Sequence, residues 1–331
     1  MKKKIALVTG GYSQEYSISL NSSKQIARAM DPARYDLFTI LITRDHWMYL
    51  TQTGDRLPVD KNDFSILHEG KKLHFDAAFI AIHGTPGEDG QLEGYLDMLN
   101  IPYTCSGRLA SALTFNKIAC KQYLAPFGFR FAGTVQVRKG TPYSAENLVS
   151  EVGLPCFVKP NEGGSSFGIS KVTRVEDLPA ALEKAFEEDK LALVETFLPG
   201  TEITCGLMKT LEKDYILPVC EIVSKNDFFD YEAKYTPGMA DEIVPARIPD
   251  EVSRKCQEMS SRIYSLLDCR GLVRIDYIWT PEEIWFMEVN TIPGLSAESI
   301  VPKMIRAAGL EPGQIFGEMV EDCIRRKNSL S

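Results

Sequence analysis

The sequence predicts an α/β protein of two or three domains, and three observations support this. Its 331 residues exceed the length of one ordinary domain. Hydrophobic residues make up 44% and charged residues 25% of the chain, which is typical of a soluble globular protein. Apolar runs of strand length also alternate with helical patterns from the first residues onward, an order typical of sheets covered by helices.

The first part of the chain predicts a parallel sheet with helices packed on it. The predicted strands and helices cover residues 4–9, 16–30, 37–42, 75–82 and 91–99. Ligands of such sheets bind at the loops after the carboxyl ends of the strands, which here carry Gly11, Ser13, Glu15 and His83. Two alternatives stay open, since His83 also suits a structural histidine and Glu15 also suits a partner of the helix dipole.

The Gly10-Gly11 pair after the first strand does not indicate a dinucleotide site. The Gly-x-Gly-x-x-Gly spacing is absent. The second strand ends in Thr43-Arg44-Asp45, which places no acid at its tip to bind a ribose.

Charge and cysteine usage exclude several classes of protein. The formal net charge of -8 argues against a nucleic-acid surface. Eight cysteines are scattered without a Cys-x-x-Cys pair, which predicts reduced thiols in a cytoplasmic protein. No apolar run is long enough to span a membrane, and the lysine-rich start followed by a short apolar run predicts a first strand rather than a signal peptide.

The middle part predicts a hairpin that can close over phosphates. Its predicted helices and strands cover residues 109–114, 116–127, 130–137, 156–160, 169–172 and 176–188. Lys159 lies within an apolar strand, and the Gly/Ser-rich loop 161–168 follows it. A buried lysine and the N–H groups of such a loop suit a phosphate chain. An ordinary surface turn remains the alternative.

The last part predicts a second sheet after a hinge. A strand at 191–195 leads into the Leu198-Pro199-Gly200 hinge, a plausible domain boundary. Beyond it, the predicted strands and helices cover residues 203–209, 215–223, 250–268 and 312–327. The polar, aromatic loop 226–241 is long enough to suggest a functional role.

The segment 272–289 predicts a β-hairpin with a polar patch. If an odd number of turn residues is centred on Glu282, Asp276 lies opposite Glu288 and Arg274 lies opposite Asn290. Two carboxylates and an amide oxygen are ligands that Mg²⁺ prefers, and an arginine beside them suits a phosphate or an oxyanion. A solvated polar face is the alternative, but the flanking residues are strongly apolar.

The chain as a whole resembles the D-alanine–D-alanine ligase family of ATP-grasp enzymes. Six motifs in the family's order carry the resemblance: GGYSQEYSISLNSS, HGTPGEDGQLEGYLDMLNIPYTCSG, FVKPNEGGSSFGISKV, VETFLPGTE, DYEAKY and RIDYIWTPEEIWFMEVNTIPGLSAESIVP. It implies a Rossmann-like domain with a parallel sheet (1–105), a central ATP-grasp subdomain (106–195) and a C-terminal catalytic subdomain (196–331). ATP is expected between the last two.

The resemblance implies that two D-alanines are joined through a D-alanyl phosphate. By motif, two Mg²⁺ ions, which Mn²⁺ can replace, are assigned to Asp276, Glu288 and Asn290. The residues assigned to ATP are Lys117, Lys159, Ser165, Ser166, Glu195, Phe197, Leu198, Glu202 and Lys234. The residues assigned to catalysis are Glu15, Ser165, Tyr235, Arg274 and Gly294, and those assigned to substrate are Glu15, His83, Ser299 and Ile300. A cytoplasmic homodimer without nucleic-acid or membrane partners is expected.

Some positions bear on specificity and on alternatives. A tyrosine at position 235 accompanies amine acceptors in this family, whereas a phenylalanine marks relatives that accept D-lactate. Asn116, Thr196 and Phe197 stand where an Asp, a Lys and a Trp are frequent, so the support of Lys117 and the adenine contacts can differ. Two other interpretations remain: another ATP-grasp ligase, including a D-Ala–D-lactate ligase, and a nucleotide-binding regulatory protein or oxidoreductase.

Overall fold

A computed structural model describes residues 1–224 and 240–329, and these form three β-sheets with helices between and around them. The strands are β1 (Lys3–Gly10), β2 (Tyr35–Ile42), β3 (Trp47–Leu50), β4 (Arg56–Asp60), β5 (Ser65–His68), β6 (Lys71–Leu73), β7 (Ala77–Ile80), β8 (Arg130–Phe131), β9 (Thr134–Arg138), β10 (Cys156–Pro160), β11 (Ser170–Val172), β12 (Leu191–Thr196), β13 (Thr201–Lys209), β14 (Asp214–Ile216), β15 (Cys220–Ser224), β16 (Ala240–Ile243), β17 (Val273–Trp279) and β18 (Ile284–Asn290).

The α-helices of the described residues lie between these strands and after them. They are α1 (Tyr16–Ala29), α2 (Gln91–Met98), α3 (Arg108–Phe115), α4 (Lys117–Leu124), α5 (Ala145–Val152), α6 (Leu178–Phe186), α7 (Asp250–Leu266), α8 (Ile300–Ala307) and α9 (Pro312–Ser329). Across the described ranges, no helix is both long enough and apolar enough to cross a membrane.

The first sheet is mixed rather than parallel, which corrects the prediction. Its order is β6-β5-β4-β3-β2-β1-β7. Only β2, β1 and β7 run parallel, and β3 to β6 extend the sheet as antiparallel hairpins. These four strands are short, and some of their residues are exposed, so the sequence lacks the continuous apolar runs that mark the parallel core.

The second sheet presents one face to helices and the other to the third sheet. Its order is β11-β10-β12-β9, with all neighbours antiparallel. In β10, Cys156 and Val158 pack with the apolar residues of α5 and α6. Phe157 and Lys159 alternate to the opposite face, where they line a cleft. The period of two in this strand therefore separates core from site.

The third sheet carries the predicted hairpin at its centre. Its order is β16-β15-β13-β17-β18-β8, and β14 pairs with β13. Val273, Ile275 and Tyr277 of β17 pack in one core with Cys256 and Ile263 of α7. The residues between them on β17 therefore face away from α7.

Two predicted strands are each divided in the structure. The predicted strand 130–137 forms β8 in the third sheet and β9 in the second, with Gly133 between them. A side chain at Gly133 would place a Cβ atom 2.9 Å from the Oγ1 atom of Thr196. The predicted strand 215–223 forms β14 and β15, and Pro218, which has no N–H to donate, lies between them.

The last helix returns to the first sheet. Phe316 of α9 is fully buried and packs edge-on against Phe79 of β7, with ring centroids 5.9 Å apart. Glu321 pairs with Lys3 and with Arg34, whose guanidinium lies 3.0 Å away. These contacts join the two ends of the chain. The division of the chain at residues 105 and 195 stays a prediction.

We expect Phe316→Ala to destabilise the protein by about 3–5 kcal/mol, because it leaves a cavity between α9 and the first sheet. A shift of the urea unfolding midpoint would measure this loss. Leu109→Ala is the control, since Leu109 is 76% exposed and its truncation should change stability by less than about 0.5 kcal/mol. Equal midpoint shifts for the two variants would show that α9 does not stabilise the fold in this way.

Candidate active site

The β17–β18 hairpin pairs its polar side chains in the predicted register. Asp276 lies opposite Glu288, and Arg274 lies opposite Asn290. Asp276 and Glu288 line the cleft between the second and third sheets, together with Arg274. The patch expected from alternation is therefore present in the structure.

The turn that produces this register differs from the expected one. An odd loop centred on Glu282 was expected, but Trp279 pairs with Ile284, which leaves the even-numbered loop 280–283. A β-bulge next to Asp276 supplies the missing residue. The extra residue in the bulged strand restores the register on the side of the carboxylates.

Asp276 is buried, and among the described residues three side chains hold its carboxylate. Arg274 donates two hydrogen bonds to it, from Nε to Oδ1 at 2.8 Å and from Nη2 to Oδ2 at 2.7 Å. Thr204 of β13 donates to Oδ1 at 2.5 Å, and Asn290 donates to Oδ2 at 3.0 Å. These bonds compensate the loss of water around a buried carboxylate and fix the guanidinium plane.

The cleft between the second and third sheets has a volume of about 490 Å³. Most of the residues assigned to ATP and to metal line it: Lys117, Lys159, Ser166, Glu195, Phe197, Leu198, Glu202, Asp276 and Glu288. Both sheets contribute, so the cleft lies where the family resemblance places the nucleotide.

Three buried charges form a cluster on the wall of this cleft. Glu195 of β12 lies between Lys159 of β10, at 2.6 Å, and Lys121 of α4, which also contacts its carboxylate. Burial alone would raise the pKa of Glu195, but the charges of Lys159 and Lys121 lower it to about 2. Glu195 is therefore ionised, and its side chain is fixed from two sides.

Lys117 begins α4 and reaches the loop after β10. Its Nζ atom donates to the carbonyl oxygen of Gly163 at 2.8 Å and lies 3.7 Å from Glu288. The side-chain oxygen of Asn116 accepts from Ala119 at 3.0 Å and so caps the helix. The Asn at position 116 therefore still supports Lys117, although an Asp is frequent there.

The Gly/Ser loop contacts Glu15, which directly precedes α1. Ser165 donates a short hydrogen bond to the carboxylate of Glu15, which is 6% exposed. A Cβ atom on Gly164 would lie 2.7 Å from Oε2 of Glu15, and one on Gly84 would lie 3.1 Å from it. Two glycine-bearing loops thus close around one carboxylate, and larger side chains would displace it.

Ser165 and Ser166 both adopt positive φ angles, of 48° and 61°. Side chains other than glycine rarely occupy this left-handed region, and backbone strain of this kind is concentrated at binding sites. The loop therefore holds a conformation that its sequence does not favour, next to the cleft and to Glu15.

His83 is buried and uncharged. Its main-chain N–H donates to Ser19 at 3.0 Å, and its Nε2 atom lies 3.0 Å from the hydroxyl of Ser22. Burial lowers the pKa of His83 to about 4; a hydrogen bond to the main chain of Ile292 opposes the shift, and the charge of Arg274 adds to it. A neutral imidazole ring can form hydrogen bonds with a substrate, but it contributes no positive charge to the site.

The region around Ser299, assigned to the substrate, lies at the start of α8 and is not part of the cleft lining. Ser299 precedes α8, and its hydroxyl lies 2.7 Å from that of Ser296. A Cβ atom on Gly294 would lie 2.9 Å from the Oγ atom of Ser299. Gly294, Ser299 and the first residue of α8, Ile300, are therefore close together, and a helix N-terminus attracts a carboxylate.

Two assigned residues, Lys234 and Tyr235, lie outside the described residues, so their assignments stay predictions. The loop 226–241 that carries them lies almost entirely outside the described ranges as well.

Sequence reasoning missed several residues of the site. Lys121 is four residues after Lys117, on the same face of a predicted helix, and this spacing was an available signal. Glu88 is buried, accepts from the N–H of Gly84 at 2.7 Å, and has its pKa raised by burial and by the charge of Glu15. Its place in the Gly-rich loop after β7 was the only sequence signal.

A further missed pair lines the cleft near Glu202. Arg247 donates to both carboxylate oxygens of Glu221, at 3.0 and 2.9 Å. The two residues are far apart in sequence and the segment around Arg247 has no helix or strand pattern, so no spacing rule could have joined them. Thr204, which binds Asp276, lies in a predicted strand, but it is far from Asp276 in sequence, so no local pattern indicated the contact.

The residues expected to hold metal fit a hard divalent cation by their chemistry. Asp276, Glu288 and Asn290 offer carboxylate and amide oxygens on one face of the hairpin. Among the described residues, no group of three or more His, Cys, Asp or Glu side chains could hold a metal ion. Since Mg²⁺ takes about six oxygens, these side chains suit a cation that also binds phosphate oxygens.

The chain matches two family models. The model described as D-ala D-ala ligase N-terminus matches residues 4–106, and the model described as D-ala D-ala ligase C-terminus matches residues 127–321. A protein named D-alanine--D-alanine ligase from Azobacteroides pseudotrichonymphae is 48% identical over 321 residues, which cover 96% of this chain and 99% of that protein.

Two solved structures with the same fold carry names that specify different second substrates. The VanG D-Ala:D-Ser ligase from Enterococcus faecalis is 32% identical, with a TM-score of 0.86 over 97% of this chain and 99% of its own. The D-alanine--D-alanine ligase from Bacillus anthracis complexed with ATP is 27% identical, with a TM-score of 0.79 over 99% of this chain and 100% of its own.

We expect the His83 ring not to titrate between pH 8 and pH 5, because its pKa lies at about 4. The unfolded chain takes up this proton near pH 6.5, so the stability contributed by neutral His83 is lost as the pH falls from about 6.5 towards 4. NMR titration of the histidine ring protons measures this, with His83→Gln identifying the resonance. A midpoint near 6.5 would contradict the burial argument.

Proposed function

Because the chain belongs to the D-alanine–D-alanine ligase family, we propose that it joins two D-alanine molecules in a reaction driven by ATP. The observation that carries the proposal is a single cleft that brings Lys159 of the second sheet and Lys117 of α4 to the carboxylates of the third sheet. Positively charged side chains that suit a phosphate chain thus face carboxylates that suit a divalent metal ion. The product, D-alanyl-D-alanine, is a precursor of peptidoglycan.

The nucleotide is proposed to lie along this cleft. Phe157 and Phe197, with ring centroids 6.0 Å apart, form an apolar wall that suits the adenine, and Leu198 supplies main-chain groups beside it. Glu202 suits the ribose hydroxyls. At the other end, Lys159 lies beside the Gly/Ser loop, where the phosphates meet positive charge and N–H donors.

In the first step, a carboxylate oxygen of the first D-alanine attacks the γ-phosphorus of ATP. The bond to the β,γ-bridging oxygen breaks, ADP leaves, and a D-alanyl phosphate forms. We propose that Glu15 binds the ammonium group of this D-alanine. A carboxylate suits an ammonium group, and that of Glu15 lies between two glycine-bearing loops. Lys117 and Lys159 offset the charge of the phosphates during the transfer.

In the second step, the amine of the second D-alanine, having lost a proton, attacks the acyl carbon. The tetrahedral intermediate expels inorganic phosphate and leaves a peptide bond. Arg274, whose orientation is fixed by its two bonds to Asp276, is placed to stabilise the developing oxyanion with the N–H of Gly294. Ser299 and the N-terminus of α8 suit the carboxylate of the second D-alanine.

Asp276, Glu288 and Asn290 are proposed to hold two Mg²⁺ ions, for which Mn²⁺ can substitute. Bound there, the cations would neutralise charge on the phosphate oxygens. Since ATP and D-alanine are small molecules of the cytoplasm, we place the reaction there, and we propose a homodimer as the working state.

The proposed activity is tested by measuring ADP release with D-alanine, with L-alanine and with no amino acid. We expect release only with D-alanine, together with D-alanyl-D-alanine detected by mass spectrometry. A second assay offers D-alanine, D-serine and D-lactate together, because one structural relative is a D-Ala:D-Ser ligase. ADP release that is indifferent to D-alanine would remove the proposal, and a mainly D-serine or D-lactate product would change the second substrate.

We expect Glu288→Gln to lower turnover roughly 100-fold or more, because it removes charge from the proposed metal site. The Mg²⁺ concentration needed for half-maximal activity should also rise. Glu283→Gln is the matched control, since Glu283 lies in the turn of the same hairpin and pairs with Lys255 at 2.8 Å, outside the cleft. Near-parental turnover and Mg²⁺ dependence in Glu288→Gln would disprove the metal assignment.

A further inference from the structure

Lys121 is a buried cation of the cleft to which the proposed function gives no role. Its side chain is 6% exposed and lies four residues after Lys117 on α4. It contacts Glu195 and donates to the hydroxyl of Thr134 at 3.1 Å. Removing a lysine ammonium group from water costs free energy, so a buried lysine indicates a structural or functional role.

The carboxylate of Glu195 is shared by two ammonium groups. Lys121 contacts Oε1, and Lys159 lies 2.6 Å from Oε2. Thr134, opposite Glu195 on the neighbouring strand, donates to Oε1 at 3.3 Å and accepts from Lys121. The two lysines and Glu195 are buried, and every member of the cluster is bonded to at least one other, so the contacts hold these side chains in place.

The charges of the cluster show what Lys121 adds. Two lysines and one glutamate leave a net charge of +1 on this wall of the cleft. Nearby, Lys117 lies 3.7 Å from Glu288, so these two side chains offset each other. Without Lys121, the single charge of Lys159 would be balanced by Glu195, and this pair would have no net positive charge to offer an anion.

We propose that Lys121 is a positioning residue for nucleotide binding, which neutralises Glu195 so that the charge of Lys159 is available to the phosphate chain. This inference rests on the proposed function, in which Lys159 meets phosphate. When ATP enters the cleft, Glu195 keeps a buried cationic partner. The cost of leaving a carboxylate uncompensated in the interior is thereby avoided.

The first test compares ATP affinity among variants by isothermal titration calorimetry without D-alanine. Lys121→Met keeps the apolar stem and removes the charge, so we expect ATP to bind about 10- to 100-fold more weakly. Lys121→Arg keeps the charge and should recover most of the affinity. In steady-state kinetics, Lys121→Met should raise the KM for ATP and leave that for D-alanine near the parental value.

The second test asks whether Lys121 acts through Glu195. In a Glu195→Gln background there is no carboxylate to neutralise, so adding Lys121→Met should weaken ATP binding less than about threefold. The same large loss in both backgrounds would overturn the proposal, because Lys121 would then act on the nucleotide directly. No loss in either background would overturn it as well.

A control and a check on folding complete the design. Lys209→Met removes a half-buried lysine that donates to the main-chain oxygen of Ser261 at 3.0 Å and does not line the cleft, so it should leave ATP affinity unchanged. If Lys121→Met does not fold, Lys121→Arg still decides, since loss of ATP affinity in that folded variant contradicts the proposal. A parent protein that binds no ATP contradicts the proposed function instead.

Discussion

Charge compensation on each wall of the cleft is the constraint on which the candidate site depends. The walls carry several acids and bases that are buried, among them Lys159, Glu195 and Asp276, and a buried charge must be paired. Glu195 is held by two lysines, and Asp276 by an arginine, an asparagine and a threonine. The pairs orient the same side chains that the proposed reaction uses, so stability and function rest on one set of contacts.

The same contacts connect regions that are far apart in the chain. The Gly/Ser loop after β10 reaches Glu15 at the start of α1, and α9 returns to the first sheet through Phe316 and Glu321. Because glycines at positions 84 and 164 leave room for the carboxylate, the loops approach it closely. The proposed binding point for an ammonium group therefore depends on two loops from separate sheets.

Local patterns predicted much of this structure, and non-local pairings account for the rest. Alternation along the hairpin correctly put Arg274 and Asp276 on one face of β17, since a period of two is a property of the strand itself. The antiparallel extension of the first sheet, the division of 130–137 between two sheets and the pairing of Lys121 with Glu195 were not predictable. Each depends on partners brought together only by the tertiary fold.

The bulge in β18 has a consequence for how the hairpin can change during evolution. Pairing with β17 fixes the positions of Glu288 and Asn290, whereas the exposed turn at 281–282 contacts neither. The bulge absorbs the difference between the length of the turn and the register of the carboxylates. Insertions and substitutions can therefore accumulate in the turn without moving Asp276 and Glu288. Divergent relatives can keep these two carboxylates in place while the tips of their hairpins differ.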